Sequence, residues 1–260
     1  MDKKLIMGLL FICFAFSYSA SIKTIPTADG LGIFKATIDT QNMEVVINCS
    51  SGARIEKLID KKTGKNIVYW DEKGYGGLFD DRHTFTNAEY KSTITLNRSE
   101  KIILKCEVSS AEGIKIKKEF IFEENKDYFT VNYSISNWSY KPFTFWIRNF
   151  ATPLGKENTE ENFYYYWQNE KLISKNFPSE YQENISDGWF AIINKKEKTG
   201  FGFWSEFNKL DKFYFWQGSK IYPTCELIYK TLPEGKEMDV KVLFILINGF
   251  EKVGSINDKG

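Results

Sequence analysis

Tryptophan, tyrosine, arginine and glutamate recur at alternate positions in three separate stretches of the chain. That mixture suits a surface that stacks on a sugar ring and hydrogen-bonds its hydroxyls. In Phe143 to Phe150 one set of alternate positions carries Phe143, Phe145 and Ile147, and the other carries Thr144, Trp146, Arg148 and Phe150. In Phe201 to Phe207, Phe201, Phe203 and Phe207 share one side, and Trp204 and Glu206 share the other. In Phe213 to Gln217 the division sets Phe213 and Phe215 against Tyr214 and Trp216. If these stretches join one sheet, its mixed face offers Trp146, Trp204, Tyr214 and Trp216 as stacking platforms beside Arg148, Glu206 and Glu226. The other reading of the charged groups is an internal pair of Arg148 with Glu206 or Glu226, because a buried polar group left without a partner costs about 1 to 3 kcal/mol.

Positioning such side chains is the work of strands. From Ile33 onward the chain alternates in short segments punctuated by turn residues, with no long stretch of 3.6-residue periodicity, and this predicts an all-β protein. Val45 to Cys49 reads as a strand. Arg54 to Ile59 and Asn66 to Trp70 read as a hairpin around the polar tip Asp60 to Lys65. Thr93 to Leu96, Ile102 to Val108, Ile114 to Phe122 and Tyr128 to Ser136 read as a meander. Phe143 to Phe150, Phe163 to Gln168, Trp189 to Asn194, Gly200 to Phe207, Lys212 to Gln217, Thr224 to Lys230 and Asp239 to Asn248 complete the set. So many strands imply two broad packed sheets. Phe163 to Trp167 has rings on both faces, as in a strand covered on both sides or one crossing the groove. Lys73 to Tyr90 and Ala151 to Asn162 are the least regular stretches.

The 22 Phe, 14 Tyr and 7 Trp among 260 residues need a large core to hide them or a ligand to use them. Lys3 and Lys4 precede an apolar run from Leu5 to Phe16 followed by small residues, the pattern of a cleaved secretory signal over residues 1–20. Residues 21–260 then form one domain. The expected location is outside the cytoplasm: secreted, periplasmic or in the cell envelope. No later stretch is apolar for the roughly 20 residues that a membrane helix requires. The 35 basic and 34 acidic residues nearly cancel and are scattered, so nothing points to nucleic acid. Cys49, Cys106 and Cys225 lie beyond the signal, and either one disulfide forms among them or all three act as small buried hydrophobes. Asp80 and Asp81 stand side by side and could hold calcium with loop carbonyls, but two adjacent acids alone are a weak signal, and neither a metal nor another cofactor is expected.

Gly113-Ile-Lys-Ile-Lys-Lys-Glu-Phe120, a polar turn, and Tyr128-Phe-Thr-Val-Asn-Tyr-Ser-Ile-Ser-Asn137 together resemble the galactose mutarotase-like supersandwich proteins. Gly52 to Asp60 with Thr63-Gly-Lys-Asn66 is similar to the early hairpin of that family, and Leu232-Pro-Glu-Gly-Lys-Glu237 to its late turn. The resemblance implies a two-sheet β-supersandwich of sugar-active or sugar-binding type. In its epimerases a carboxylate removes the anomeric hydroxyl proton while a histidine protonates the ring oxygen. Glu226 matches the family's late-strand glutamate by context. Where the family places its histidine this chain has Phe145-Trp-Ile-Arg148-Asn149-Phe150, and an arginine is a poor proton donor because its pKa stays above about 12. The lone histidine, His83, follows Arg82, and the resemblance implies a substrate-contacting role for this pair from the early part of the chain, the other reading being a hydrated loop.

These features lead to an expectation of a secreted, noncatalytic carbohydrate-binding domain whose partner is a saccharide or polysaccharide. One alternative is an aldose 1-epimerase-like enzyme, or another sugar-active enzyme such as a lyase, with Glu226 as general base and His83 or Tyr214 as acid. Another is a structural envelope or interaction protein. The oligomeric state is left open.

Overall fold

The computed structural model describes residues 19–82, 85–155, 159–176, 178, 180–216 and 223–260. The expected signal segment lies outside these residues apart from its last two positions. Of those, Ala20 is buried and donates its backbone N–H to Ser99.

Strands β1 (Ser21–Pro26), β2 (Ile33–Asp39), β3 (Met43–Asn48), β4 (Arg54–Asp60) and β5 (Lys65–Asn66) form an antiparallel sheet in chain order. Next come β6 (Asp80–Asp81), β7 (Lys91–Arg98), β8 (Lys101–Ser109), β9 (Ile114–Glu123) and β10 (Tyr128–Asn137). They are followed by β11 (Trp146–Phe150), β12 (Asn162–Gln168), β13 (Lys171–Asn176), β14 (Tyr181–Gln182), β15 (Ile185–Asn194) and β16 (Thr199–Ser205). A short 3-10 turn, Phe207–Lys209, precedes β17 (Leu210–Trp216), β18 (Thr224–Tyr229) and β19 (Lys236–Asn248). One layer is a nine-stranded sheet in the order β13-β12-β15-β16-β19-β10-β9-β8-β7. A second five-stranded sheet runs β14-β17-β18-β11-β6.

The two five-stranded sheets continue into one another. Ile55 of β4 exchanges both backbone hydrogen bonds with Leu78, two residues before β6, at 3.0 Å each, and Val68 bridges Ala151. The second layer is therefore continuous, and the architecture is the expected two-layer all-β supersandwich. Alternation explains which faces meet. Ile38, Val45, Ile47 and Leu58 from the first sheet, Leu104, Phe120, Phe129, Phe203 and Phe244 from the nine-stranded sheet, and Ile147, Phe213, Phe215 and Leu227 from the last sheet share one core. Phe145 and Ile147, Phe201 and Phe203, and Phe213 and Phe215 are buried as sorted from the sequence, whereas Phe207 falls in the 3-10 turn beyond β16 and is exposed.

A second, smaller core covers the outer face of the nine-stranded sheet. Trp189, Ile193, Leu243 and Ile247 lie there under Val253 and Ile256 of the C-terminal segment, with Trp204 packed beside them. Trp167 and Tyr165 fasten that segment by donating to Gly254 O at 3.2 Å and Glu251 O at 3.1 Å. The strand β12 that carries Tyr164, Tyr165, Tyr166 and Trp167 is thus covered on both sides, as its two-sided ring pattern implies.

Two expected strands are shorter than read. Asn66 to Trp70 contributes only its first residue to β5 and then makes isolated bridges, and Phe143 to Phe150 is regular only from Trp146. Cys49, Cys106 and Cys225 are buried free thiols. Among the described residues no helix is long and apolar enough to cross a membrane, and no group of three metal-ligating side chains occurs.

Candidate functional site

The strand registers of the β14-β17-β18-β11-β6 sheet bring five side chains into one row. Tyr181 pairs with Tyr214, Tyr214 with Glu226, Glu226 with Arg148, and Arg148 with Asp80. The next row holds Trp216 opposite Thr224 and Thr224 opposite Phe150. Because all of these sit at the same parity along their strands, they share the face turned away from the core. A cavity of about 240 Å³ opens over this face, lined by Tyr75, Arg82, Arg148, Tyr214, Trp216, Thr224 and Glu226.

Glu226 forms the floor. Its side chain is 2% exposed, and it accepts a hydrogen bond from Arg82 Nη1 at 2.9 Å and one from Thr224 Oγ1 at 3.2 Å. Arg82 is held over the Trp146 ring, 4.4 Å from its centroid, and its backbone N–H donates to Trp146 O at 3.3 Å. Arg148 donates from Nε at 2.9 Å and from Nη2 at 2.6 Å to the same oxygen of Asp80, a carboxylate with no exposure. The Tyr214 ring lies 4.5 Å from that of Tyr181, which in turn meets Trp146 edge-on at 6.5 Å.

Tyr75 reaches the cavity from the loop between Asp71 and Gly77. Arg54, buried at the start of β4, holds this loop by donating to Gly76 O and Gly74 O, each at 3.0 Å, and stacks over Trp70 at 4.7 Å. Gly76 has a φ of +118°, and a Cβ there would lie 2.2 Å from Tyr69 O. Only glycine allows the chain to turn this tightly beside its neighbour. Tyr75 then packs edge-on against Phe150 at 4.9 Å, with the Arg148 guanidinium 5.9 Å above its ring.

Burial pushes the Glu226 carboxyl above its ordinary range, and Arg82 and Arg148 pull it back only in part. The Tyr214 hydroxyl is also pushed up, first by burial and then by Tyr181 and Glu226. A carboxyl whose folded pKa lies above its unfolded value stabilises the fold most on the acid side. That contribution is lost as pH rises through the folded value. The unfolding free energy of the wild type relative to Glu226→Gln is therefore expected to fall as pH rises above the ordinary glutamate value of about 4.3, as checked by urea unfolding at a series of pH values.

Five of the sequence-derived residues, Arg82, Arg148, Tyr214, Trp216 and Glu226, meet in this pocket, and Trp146 braces Arg82 from beside it. Trp204 and Glu206 do not join them. Trp204 lies on β16 of the nine-stranded sheet, where it opposes Trp189 and Leu243 on the outer face, and Glu206 follows at the end of that strand. Glu206 there accepts from Lys209 Nζ at 2.8 Å and from the Lys241 backbone N–H at 3.0 Å. Alternation sorted Trp204 correctly against Phe201 and Phe203, but the outward side of β16 faces the back of the molecule. His83 lies outside the described residues.

Asp80 and Asp81 serve two cations instead of one. Asp80 takes Arg148 on the pocket side, and Asp81 takes Lys118 at 2.9 Å in the core. Tyr75 and Thr224 are additions to the sequence-derived set. Thr224 was legible as the same-face neighbour two residues before Glu226, whereas Tyr75 depends on the Arg54 anchor. A larger hollow of about 430 Å³ lies beside Glu183, Phe207, Lys212 and Lys230. Its pair Lys212–Glu183 at 3.2 Å has one well-exposed partner, and such pairs order little.

No protein-family model matches the sequence, and no curated protein matches it. The fold is similar to that of a galactose mutarotase-like protein from Clostridium acetobutylicum, with a TM-score of 0.64 and 10% identity over 88% of this chain and 99% of that one. It is also similar to a putative aldose 1-epimerase from Escherichia coli K12, with a TM-score of 0.56 and 10% identity over 87% of this chain and 99% of the other. A TPR-domain containing protein from Parabacteroides distasonis has a TM-score of 0.64 at 10% identity over 88% of this chain, which spans 54% of that protein. At these identities the likeness is one of fold, and the fold is galactose mutarotase-like.

Proposed function

We propose that this domain binds a saccharide in the pocket above Glu226 and that it does so outside the cytoplasm, without transforming its ligand. The observation that carries this is the combination of a buried hydrogen-bonding floor, Glu226 with Arg82, and aromatic walls from Tyr75, Tyr214 and Trp216 around a space sized for a single sugar unit. Flat apolar faces bury the carbon skeleton of a pyranose ring, and the charged groups satisfy hydroxyls that would otherwise lose their water. The fold neighbours named as mutarotase-like and as a putative aldose 1-epimerase support a sugar as the ligand. Export rests on the signal pattern at residues 1–20 and is checked by the mass of the mature chain after secretion.

A second reading, an aldose epimerase, is favoured by one feature. Burial makes the Glu226 carboxylate a stronger base than a solvated glutamate, which suits removal of a proton from an anomeric hydroxyl. The same experiment separates the two. Calorimetry with a panel of monosaccharides and oligosaccharides should show binding that falls about tenfold or more in Trp216→Ala, on the scale of a well-packed aromatic contact. Polarimetry on a freshly dissolved single anomer of a bound sugar should show no acceleration. Acceleration that Glu226→Gln abolishes establishes the epimerase, and the absence of any saccharide binding removes both readings.

A further inference from the structure

The pocket is richer in donors than a neutral sugar requires. A guanidinium carries five N–H donors in a planar fork and no acceptor. Among the described residues, hydrogen bonds engage one N–H of the Arg82 guanidinium and two of that of Arg148. The charged acceptors nearby are fewer and already engaged by one donor each or turned into the protein. Glu226 Oε2 takes Arg82 and Oε1 takes Thr224, while Asp80 is wholly buried against Arg148. Trp216, on the wall, has an indole that only donates.

A neutral sugar presents hydroxyls, each of which both donates and accepts, and so fits a lining in which the two capacities are balanced. A carboxylate only accepts, at two oxygens whose spacing matches the planar fork of a guanidinium. Arg148 reaches the cavity from β11 and Arg82 from the residue just past β6, so a group held by both is fixed in direction as well as in charge. Resting on the saccharide reading above, we propose that the bound sugar unit carries a carboxylate, as in a uronic acid, and that Arg82 and Arg148 are its recognition residues. Asp80 then acts as a positioning residue, holding the Nε and Nη2 edge of Arg148 and leaving its remaining N–H groups to the ligand.

The test is calorimetry of the mature chain with the methyl glycosides of galacturonate and glucuronate, of their methyl esters, and of galactose and glucose. The uronates are expected to bind about tenfold or more tightly than the esters and hexoses, on the scale of one added charge-assisted hydrogen bond. Arg82→Lys, which keeps the charge and loses the fork, is expected to weaken uronate binding about tenfold more than it weakens hexose binding, erasing most of that preference. Adding salt to about 0.5 M should weaken uronate binding selectively even if that variant does not fold. Equal binding of uronates and hexoses overturns this inference and leaves the saccharide reading standing. Tighter binding of a sulfated hexose than of either uronate overturns the carboxylate assignment. Failure of every sugar to bind overturns the saccharide reading itself, and this inference with it.

Discussion

Lys118→Met is expected to lower the unfolding free energy by about 3 to 5 kcal/mol, the cost of removing one partner of a buried ion pair. Lys118 occupies an inward position of β9, in the series Ile114, Ile116, Lys118, Phe120, Phe122, and has no exposure. Its ammonium lies 2.9 Å from Asp81 and donates to Phe79 O at 2.7 Å, Gly52 O at 2.8 Å and Ala53 O at 3.3 Å. Methionine fills similar volume but leaves those carbonyls and the Asp81 carboxylate unmatched inside the core. The Tyr90 hydroxyl still donates to Asp81, yet burial already pushes that carboxyl above its usual range. In a domain of this size the melting temperature should fall by about 10 °C or more. Asp81→Asn in the same chain should restore part of the loss, because it removes the stranded charge. Thermal and urea unfolding measure both, and a Lys118→Met protein that melts within about 2 °C of the wild type would contradict the assignment.

Arg148→Met is expected to damage stability and ligand binding together. Among the described residues, Arg148 is the hydrogen-bond donor to the Asp80 carboxylate, which has no exposure and whose other oxygen lacks a partner. Stranding that charge should cost about 3 to 5 kcal/mol of unfolding free energy. Saccharide affinity should fall about tenfold or more as well, since a wall of the pocket loses its charge and its donors. The double variant Arg148→Met with Asp80→Asn separates the two effects. It should recover most of the stability, because no charge remains buried, and none of the affinity. Recovery of affinity in the double variant would mean that Arg148 only shields Asp80 and does not meet the ligand.

The faces of individual strands were legible in the sequence, and their partners were not. Phe145 and Ile147 against Trp146 and Arg148, or Phe213 and Phe215 against Tyr214 and Trp216, are consequences of two-residue periodicity, which is local. That Tyr214 lies opposite Glu226 while Trp204 lies opposite Leu243 is a matter of pairing between distant segments, on which periodicity is silent. Trp204 and Glu206 were placed with the site for this reason. Strand β6 was illegible for another: two adjacent aspartates have poor strand propensity, and they are extended because Arg148 and Ile147 of β11 pair with them. Strand β13, with its lysines, serine and asparagine, is a polar edge that carries little apolar pattern. A lysine at an inward position of β9 between isoleucines and phenylalanines announces a buried carboxylate partner, and Asp81 is that partner.

Strand β6 places consecutive carboxylates on opposite sides of one layer, Asp80 toward the pocket and Asp81 toward the core. Tolerance to substitution is then expected to be unequal across the site. The rim positions Tyr75, Thr224 and Trp216 can exchange side chains and shift ligand preference one substitution at a time. An insertion or deletion of a single residue next to β6 would move both charges to the wrong side at once, leaving Arg148 and Lys118 each to face a substitute for its proper counterion. New specificities in this scaffold should therefore arise by substitution around the pocket mouth, with the length of the segment from Gly76 to Arg82 held constant.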